Sequence, residues 1–141
     1  GVEVREDLLE TWSALLLFAD NELNIDTAEF AKVADCNYIV IFDKRAKDMT
    51  ANELLWLGAA NTEPSRDFVL YGKTLVIDAR AKLPKQSDKK PLRWPNIVTA
   101  DEKTIAMVNS KWDKYGIGDF IPSPSTHYRA LQLSDGAQWN E

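Results

Sequence analysis

The sequence predicts an α/β domain in which helices cover a mostly parallel sheet, followed by a proline-containing C-terminal tail. Two observations predict this fold. Nearly continuous apolar runs, typical of strands buried on both faces, occupy residues 14–19 and 38–42. Helix-start patterns alternate with these runs, as they do in parallel α/β sheets. We expect the α/β domain to span residues 1–118 and an extended arm to span residues 119–141.

Two further strands are predicted at residues 68–71 and 74–77, which are apolar and separated by Gly72-Lys73. A two-residue link that begins with Gly favours a tight hairpin turn. A single bent strand is the alternative interpretation of the same residues.

Three predicted helices share one start pattern. An Asp or Thr can accept a hydrogen bond from an orphan backbone N–H, and a Glu in the first turn can reach back to it. The predicted N-caps are Asp26, Thr50 and Thr99. In the third helix the apolar residues follow one stripe, and Gly116 is suited to end it. That stripe comprises Ile105, Val108, Trp112 and Tyr115.

The tail combines Pro122 and Pro124 with an apolar stretch at residues 128–133 that favours an additional edge strand. Such an arm is suited to lie on a neighbouring subunit. We therefore expect a homo-oligomer.

Composition and charge exclude several classes of function. Hydrophobic residues make up 45% of the chain and charged residues 28%, which predicts a soluble globular protein. A net charge of −5 argues against nucleic-acid and anionic-membrane partners. No apolar run reaches the roughly 18 residues of a membrane span, and residues 1–7 lack a signal-peptide pattern. With Cys36 as the single cysteine, we expect a reducing, cytoplasmic compartment.

Acidic residues follow three of the apolar runs, at Asp20, Asp43 and Asp78. Ligands of open α/β sheets collect at this end of the strands, and three carboxylates there could hold Mg²⁺. Lys44 and Arg45 directly after Asp43 oppose a cation, and polar residues are common where a strand leaves the core. The alternative function is therefore a stand-alone flavodoxin-like or receiver-like interaction module without catalytic activity.

Two Arg-Asp combinations are the candidate structural anchors. Arg66 and Asp67 follow Pro64 in a turn, and Asp78 and Arg80 share one face of a strand. An Arg in either pair could anchor the fold or hold an anionic group through its bidentate fork. No catalytic residue, metal ligand or cofactor ligand is predicted, because the chain has one His, one Cys and no Gly-rich phosphate loop.

The stretch from Trp56 to Lys82 resembles the UbiD-type decarboxylases, the 3-polyprenyl-4-hydroxybenzoate carboxy-lyases, and the likeness extends over residues 38–118. A helix containing Leu-Trp runs into a turn with Pro and Arg-Asp. A strand that ends in Ile-Asp-Ala and is followed by a basic residue comes next. The remaining matched motifs are Arg93-Trp94-Pro95 and the spacing of Val108 and Trp112.

The resemblance implies that this chain is the C-terminal domain of a larger carboxy-lyase, with quinone biosynthesis as the commonest pathway of the family. Such a domain supplies one wall of the active-site cleft and much of the subunit contact. The resemblance places prenylated FMN, its divalent metal and the Glu-Arg-Glu catalytic set in the preceding flavin-binding domain, which is the expected partner. We do not expect this chain alone to be active.

This sequence departs from the family pattern in three places. Residues 44–47 are mostly basic where relatives carry acids, and Glu63 stands where Asp is usual. The family also inserts a longer loop before the Ile-Asp-Ala strand, and that loop shapes the substrate pocket. Because the link is short in this chain, four residues in and beside it are the candidate cleft-lining set. They are Leu70, Tyr71, Gly72 and Lys73. The substrate of the family is not inferred for this chain.

Overall fold

The computed structural model describes residues 1–82, 95–134 and 136. By its internal contacts the chain forms two compact units, Gly1–Leu92 and Arg93–Glu141. The predicted boundary between a domain and an arm at residue 118 stays a prediction. Arg93 and Trp94 of the Arg93-Trp94-Pro95 motif lie outside the described residues.

The first unit is built on a five-stranded mixed sheet in the order β1-β2-β3-β5-β4. The three central strands run parallel, and each edge strand is antiparallel to its neighbour. The α/β class is thus confirmed, whereas the sheet is only partly the parallel one predicted. The strands are β1 (Glu3–Arg5), β2 (Ala14–Ala19), β3 (Tyr38–Asp43), β4 (Phe68–Tyr71) and β5 (Thr74–Asp78).

A tight hairpin joins β4 to β5, as one of the two sequence interpretations predicts. Tyr71 pairs with Thr74 across the turn. Gly72 has a φ of 59°, while Lys73 keeps a negative φ. A left-handed first position followed by an ordinary second one is the type II′ pattern, which only Gly adopts readily at the first position.

Residues 1–82 of the first unit contain four helices, and two start as predicted. Asp26 accepts a hydrogen bond from the Glu29 backbone N–H. Thr50 and Glu53 form a reciprocal capping box, in which the Glu53 carboxylate also accepts from the Thr50 backbone N–H. The helices are α1 (Leu9–Trp12), α2 (Thr27–Val33), α3 (Ala51–Asn61) and α4 (Pro64–Asp67), with a 3-10 turn at Lys44–Ala46.

The core lies on both faces of this sheet, because successive strand residues point to opposite sides. On one face, Ile39, Ile41 and other buried aliphatic residues pack against Phe30 of α2. On the other, the rings of Phe18 and Phe42 stack at 5.9 Å between centroids. Helix α3 approaches this second face at Gly58, where a Cβ would lie 3.6 Å from the Phe42 ring.

The second unit contains helices α5 (Glu102–Asn109), α6 (Trp112–Tyr115) and α7 (Ser125–Tyr128), with a 3-10 turn at Arg129–Leu131. The predicted cap at Thr99 is wrong, because Asp101 caps α5 by accepting from the Thr104 N–H at 2.6 Å. Gly116 ends α6 at a φ of 63°, but the single helix predicted to carry the stripe from Ile105 to Tyr115 is divided into α5 and α6 by turn residues 110 and 111. The predicted edge strand at residues 128–133 is also wrong, since helical turns occupy most of it. No helix in the described residues has the length and apolarity to cross a membrane.

Candidate functional site

A network of paired charges lies where β3 and β5 leave the sheet, next to the short helix α4. It unites the predicted anchors Arg66, Asp67, Asp78 and Arg80 with a further residue, Lys82. These side chains come from a 17-residue stretch that surrounds the β4–β5 hairpin. The anchors are thus brought into one site.

Arg66 and Asp67 form a bidentate pair in the turn after α3. The Arg66 Nε donates to Asp67 Oδ1 at 2.8 Å, and its Nη2 donates to Oδ2 at 2.6 Å. The buried Asp67 carboxylate also accepts from the Glu63 backbone N–H at 2.8 Å. Pro64 at the first turn of α4 presets the helical φ. The pair therefore holds the turn in one conformation.

Asp78 and Arg80 form a second bidentate pair at the end of β5. The Arg80 Nε and Nη2 donate to the two Asp78 oxygens at 3.0 and 2.8 Å. The Nη1 of the same guanidinium donates to the backbone carbonyls of Asp20 and Leu23 at 3.2 and 2.8 Å. Arg80 thereby fastens the loop after β2 to the end of β5.

Lys82 joins the two pairs. Its Nζ lies 3.7 Å from Asp67 Oδ1 and 3.5 Å from Asp78 Oδ1. The same nitrogen donates to the carbonyl oxygens of Asp78 and Arg80, both at 2.7 Å. Its side chain is 18% exposed. The ammonium is thus surrounded by two carboxylate oxygens and two backbone carbonyl oxygens.

Two buried polar residues extend the network into the sheet. The Asp43 Oδ2 accepts from the Ala81 backbone N–H at 2.9 Å. The Asn61 side-chain amide at the end of α3 donates to the Ala79 carbonyl at 3.0 Å. Both contacts satisfy backbone groups of the segment that follows β5, where the regular pairing of the sheet has ended.

The network lowers the pKa of both of its central carboxyls. Burial alone would raise the pKa of Asp78, but the Arg80 hydrogen bonds and the Lys82 charge outweigh it. Burial opposes the lowering at Asp67 in the same way, and the hydrogen bonds from Arg66 and from a backbone N–H prevail. Both carboxyls are therefore held ionised.

Burial decides the direction at the other two groups. It lowers the pKa of the Lys82 ammonium, although Asp78 and Asp67 both favour the charged form. It raises the pKa of the Asp43 carboxyl, although the Ala81 N–H and nearby cations pull it down. Holding the Lys82 ammonium and the Asp43 carboxylate in these buried positions therefore costs part of their hydration free energy.

The network fits neither a metal ion nor a flavin phosphate. The Asp43 carboxylate accepts from a backbone N–H, and the Asp78 carboxylate is paired with a cation. The side chain of Asp20 is 63% exposed. Across residues 1–82, 95–134 and 136, no group of three or more His, Cys, Asp or Glu side chains is arranged to hold a metal. The bidentate forks and the Lys82 ammonium are directed at protein oxygens, which leaves them no open phosphate site.

The predicted cleft-lining residues form the hairpin tip at the opposite ends of these strands. Leu70 is 66% exposed. The Tyr71 hydroxyl shares a hydrogen bond of 3.0 Å with the Thr27 hydroxyl of α2. Lys73 pairs with Asp35 at 2.7 Å. Their part in a cleft stays a prediction.

Sequence reasoning missed the roles of Lys82 and Asn61. A signal for Lys82 exists, because Asp78, Arg80 and Lys82 alternate with Ala79 and Ala81 as one face of an extended chain does. Asn61 gives no comparable signal, since its partner Ala79 is distant in sequence and the contact depends on how α3 packs.

No protein-family model matches this sequence. A relative from Aeropyrum pernix, described as an uncharacterized protein, is 28% identical, and the match covers 56% of this chain and 19% of the relative. The chain thus spans about a fifth of that protein's length.

Solved structures that this chain resembles include a UbiD-class enzyme and a vanillic acid decarboxylase. One is an evolved dimeric form of the UbiD-class enzyme HmfF from Pelotomaculum thermopropionicum in complex with prFMN, with a TM-score of 0.44, 17% identity and coverage of 65% of this chain and 21% of that one. The vanillic acid decarboxylase of Sedimentibacter hydroxybenzoicus in its closed form gives a TM-score of 0.49 at 8% identity, covering 75% and 27%. Its open form gives 0.47 at 8% identity, covering 73% and 26%.

Proposed function

We propose that this chain is the C-terminal domain of a UbiD-like (de)carboxylase that depends on prenylated FMN. One observation carries the proposal. The residues that resemble the family, from Trp56 to Lys82, fold as a continuous structure whose two Arg-Asp pairs are joined by one ammonium. Quinone biosynthesis is the pathway we propose for the parent enzyme.

The role proposed for the domain is to form a wall of the active-site cleft and to hold subunit contacts. The network supports this role, because its carboxylates are bound by cations and backbone N–H groups. A carboxylate fixed in this way holds the backbone and is poorly placed to exchange protons with a substrate. The exposed hairpin tip at Leu70 is the surface that we assign to the cleft.

The cofactor and its metal are assigned to the flavin-binding domain of the parent protein. When bound there, prenylated FMN supplies the adduct chemistry that releases CO₂ from an unsaturated or aromatic acid. The charge network of this chain fits neither group, because its cations are directed at protein oxygens. The flavin-binding domain is therefore the proposed partner.

Reconstitution tests the proposal. We expect no CO₂ release from a hydroxybenzoic or a cinnamic acid when this chain is mixed with prenylated FMN. Release should appear when the flavin domain encoded with it is added. Turnover by this chain alone contradicts the proposal, as does the absence of any flavin domain encoded in the same or an adjacent reading frame.

A pair of surface variants tests the assigned cleft wall. Leu70→Asp should lower the reconstituted rate about tenfold, the scale of losing one apolar contact at an interface. Val33→Asp is the matched control, because Val33 on α2 is 80% exposed and outside the assigned wall. Equal rates for the two variants would remove Leu70 from the wall.

The tail is proposed as the segment that contacts a neighbouring subunit. We expect light scattering to report a smaller assembly after residues 120–141 are deleted. Circular dichroism of the truncated chain controls for unfolding of the first unit. An unchanged mass with an intact fold argues against the arm.

A further inference from the structure

An apolar groove lies on the face of the sheet that α3 covers only in part. Its volume is about 260 Å³. Leu16, Val40 and Phe42 form the floor, while Trp12 of α1 and Leu55 of α3 form opposite walls. None of these residues belongs to the charge network, so the groove is a separate feature of the first unit.

The groove is a poor site for a small molecule. Sites of that kind measure roughly 300–1,000 Å³ and contain a few polar groups that orient the ligand. Thr62 supplies the side-chain hydroxyl among the lining residues, and that hydroxyl donates to the Gly58 carbonyl at 2.8 Å. Apolar side chains of a partner suit this groove better than a polar ligand does.

The walls leave large apolar surfaces in water. Trp12 is 53% exposed and Leu55 is 61% exposed. Helix α3 buries Leu54 and Leu57 and also exposes two large apolar residues, Leu55 and Trp56. A helix of this kind is normally covered on both sides, and an exposed apolar patch of this kind marks an interaction site.

The charges beside the groove are mostly acidic. Residues 5–12, which include one wall, carry Glu6, Asp7 and Glu10 and one cation, Arg5. Helix α3 carries Glu53 and likewise no Lys or Arg. Asp7 is paired with Arg5 at 2.6 Å, but Glu6 and Glu10 are exposed.

We propose that this groove binds a basic amphipathic helix of a partner protein. Apolar residues one helical turn apart enter between α1 and α3, and Lys or Arg residues on the flanks of the helix face Glu6 and Glu10. A second copy of this chain fits less well. Its described helices of eight residues or more are α3, which is acidic, and α5, which carries one Glu and one Lys. The proposal does not depend on the enzyme assignment.

Fluorescence anisotropy with the full chain tests the proposal. The probe is a labelled Leu-Lys amphipathic peptide of about 18 residues, since shorter helices are marginal in water. We expect saturable binding. Leu55→Glu should weaken it about tenfold, because it places a charge in the apolar wall that the peptide contacts. Val33→Glu is the matched control, because Val33 is an exposed aliphatic residue on α2, which packs on the opposite face of the sheet, and this variant should bind as the unaltered chain does.

Charge variants and altered peptides separate the proposal from nonspecific attraction. Glu10→Lys should weaken binding, whereas Glu22→Lys, outside the groove, should not. A peptide of the same composition in scrambled order should bind far more weakly. Equal binding of the scrambled peptide, equal loss in Val33→Glu, or no saturation each overturns the proposal. So does a dimer of the free chain that Leu55→Glu dissociates, because a second copy would then occupy the groove.

Discussion

Replacing Lys82 by Met tests whether the ammonium stabilises the network. The substitution keeps much of the side-chain volume but removes two hydrogen bonds of 2.7 Å to backbone carbonyls. Breaking a buried ion pair typically costs about 3–5 kcal/mol. Asp67 and Asp78 keep their Arg partners, and burial already opposes the charged form of Lys82. We therefore expect a loss below that range, about 2–3 kcal/mol in the free energy of unfolding.

Urea unfolding at neutral pH, followed by tryptophan fluorescence, measures the loss. Lys73→Met is the matched control, because Lys73 pairs with Asp35 at the same 2.7 Å but is 70% exposed. Exposed pairs contribute little, so this variant should unfold like the unaltered chain. A difference of less than about 0.5 kcal/mol between the two variants, the ordinary scatter of surface substitutions, would show that the Lys82 ammonium does not stabilise the network.

Three further outcomes follow from the same structure. Because the folded-state pKa values of Asp67 and Asp78 are lowered, their stabilisation is present above the unfolded value of about 3.9. This stabilisation is lost as the pH falls through the folded-state pKa values of the two carboxyls. Urea titrations at decreasing pH should show the loss of stability, and the loss should be smaller in a variant with both residues changed to Asn. Asp43→Asn should be neutral or stabilising at neutral pH, since it keeps an acceptor for the Ala81 N–H without the buried charge, whereas Asp43→Ala should destabilise. Thr50→Ala should cost about 1 kcal/mol by thermal or urea unfolding, because it removes half of a capping box. An unchanged stability of Thr50→Ala would mean that tertiary packing alone fixes the start of α3.

Local signals in the sequence predicted more of the fold than long-range ones did. The cap at Thr50 follows from residues within one turn, and so does the hairpin at Gly72. The cap at Thr99 failed because Asp101, a stronger capping residue, lies two positions later and starts the helix there. The antiparallel edge β1 has only three residues, too few for a strand pattern to be recognised.

The site was predictable only in part for the same reason. The two Arg-Asp anchors are neighbours or next-neighbours in sequence, so the pairing of their charges could be anticipated. That one ammonium would join both pairs depends on how the turn after α3 meets the end of β5. The Asn61–Ala79 contact and the groove between α1 and α3 likewise arise from tertiary packing, which no short pattern encodes.

The placement of the network around a hairpin has a consequence for how the chain folds. Contacts between β4 and β5 close short loops, whereas the parallel pairing of β2 with β3 requires a segment of about twenty residues to close first. Short loops close at a lower entropic cost, and local contacts favour fast folding. The stretch from Arg66 to Lys82 can therefore form early and present β5 as a template edge on which β3 and then β2 assemble.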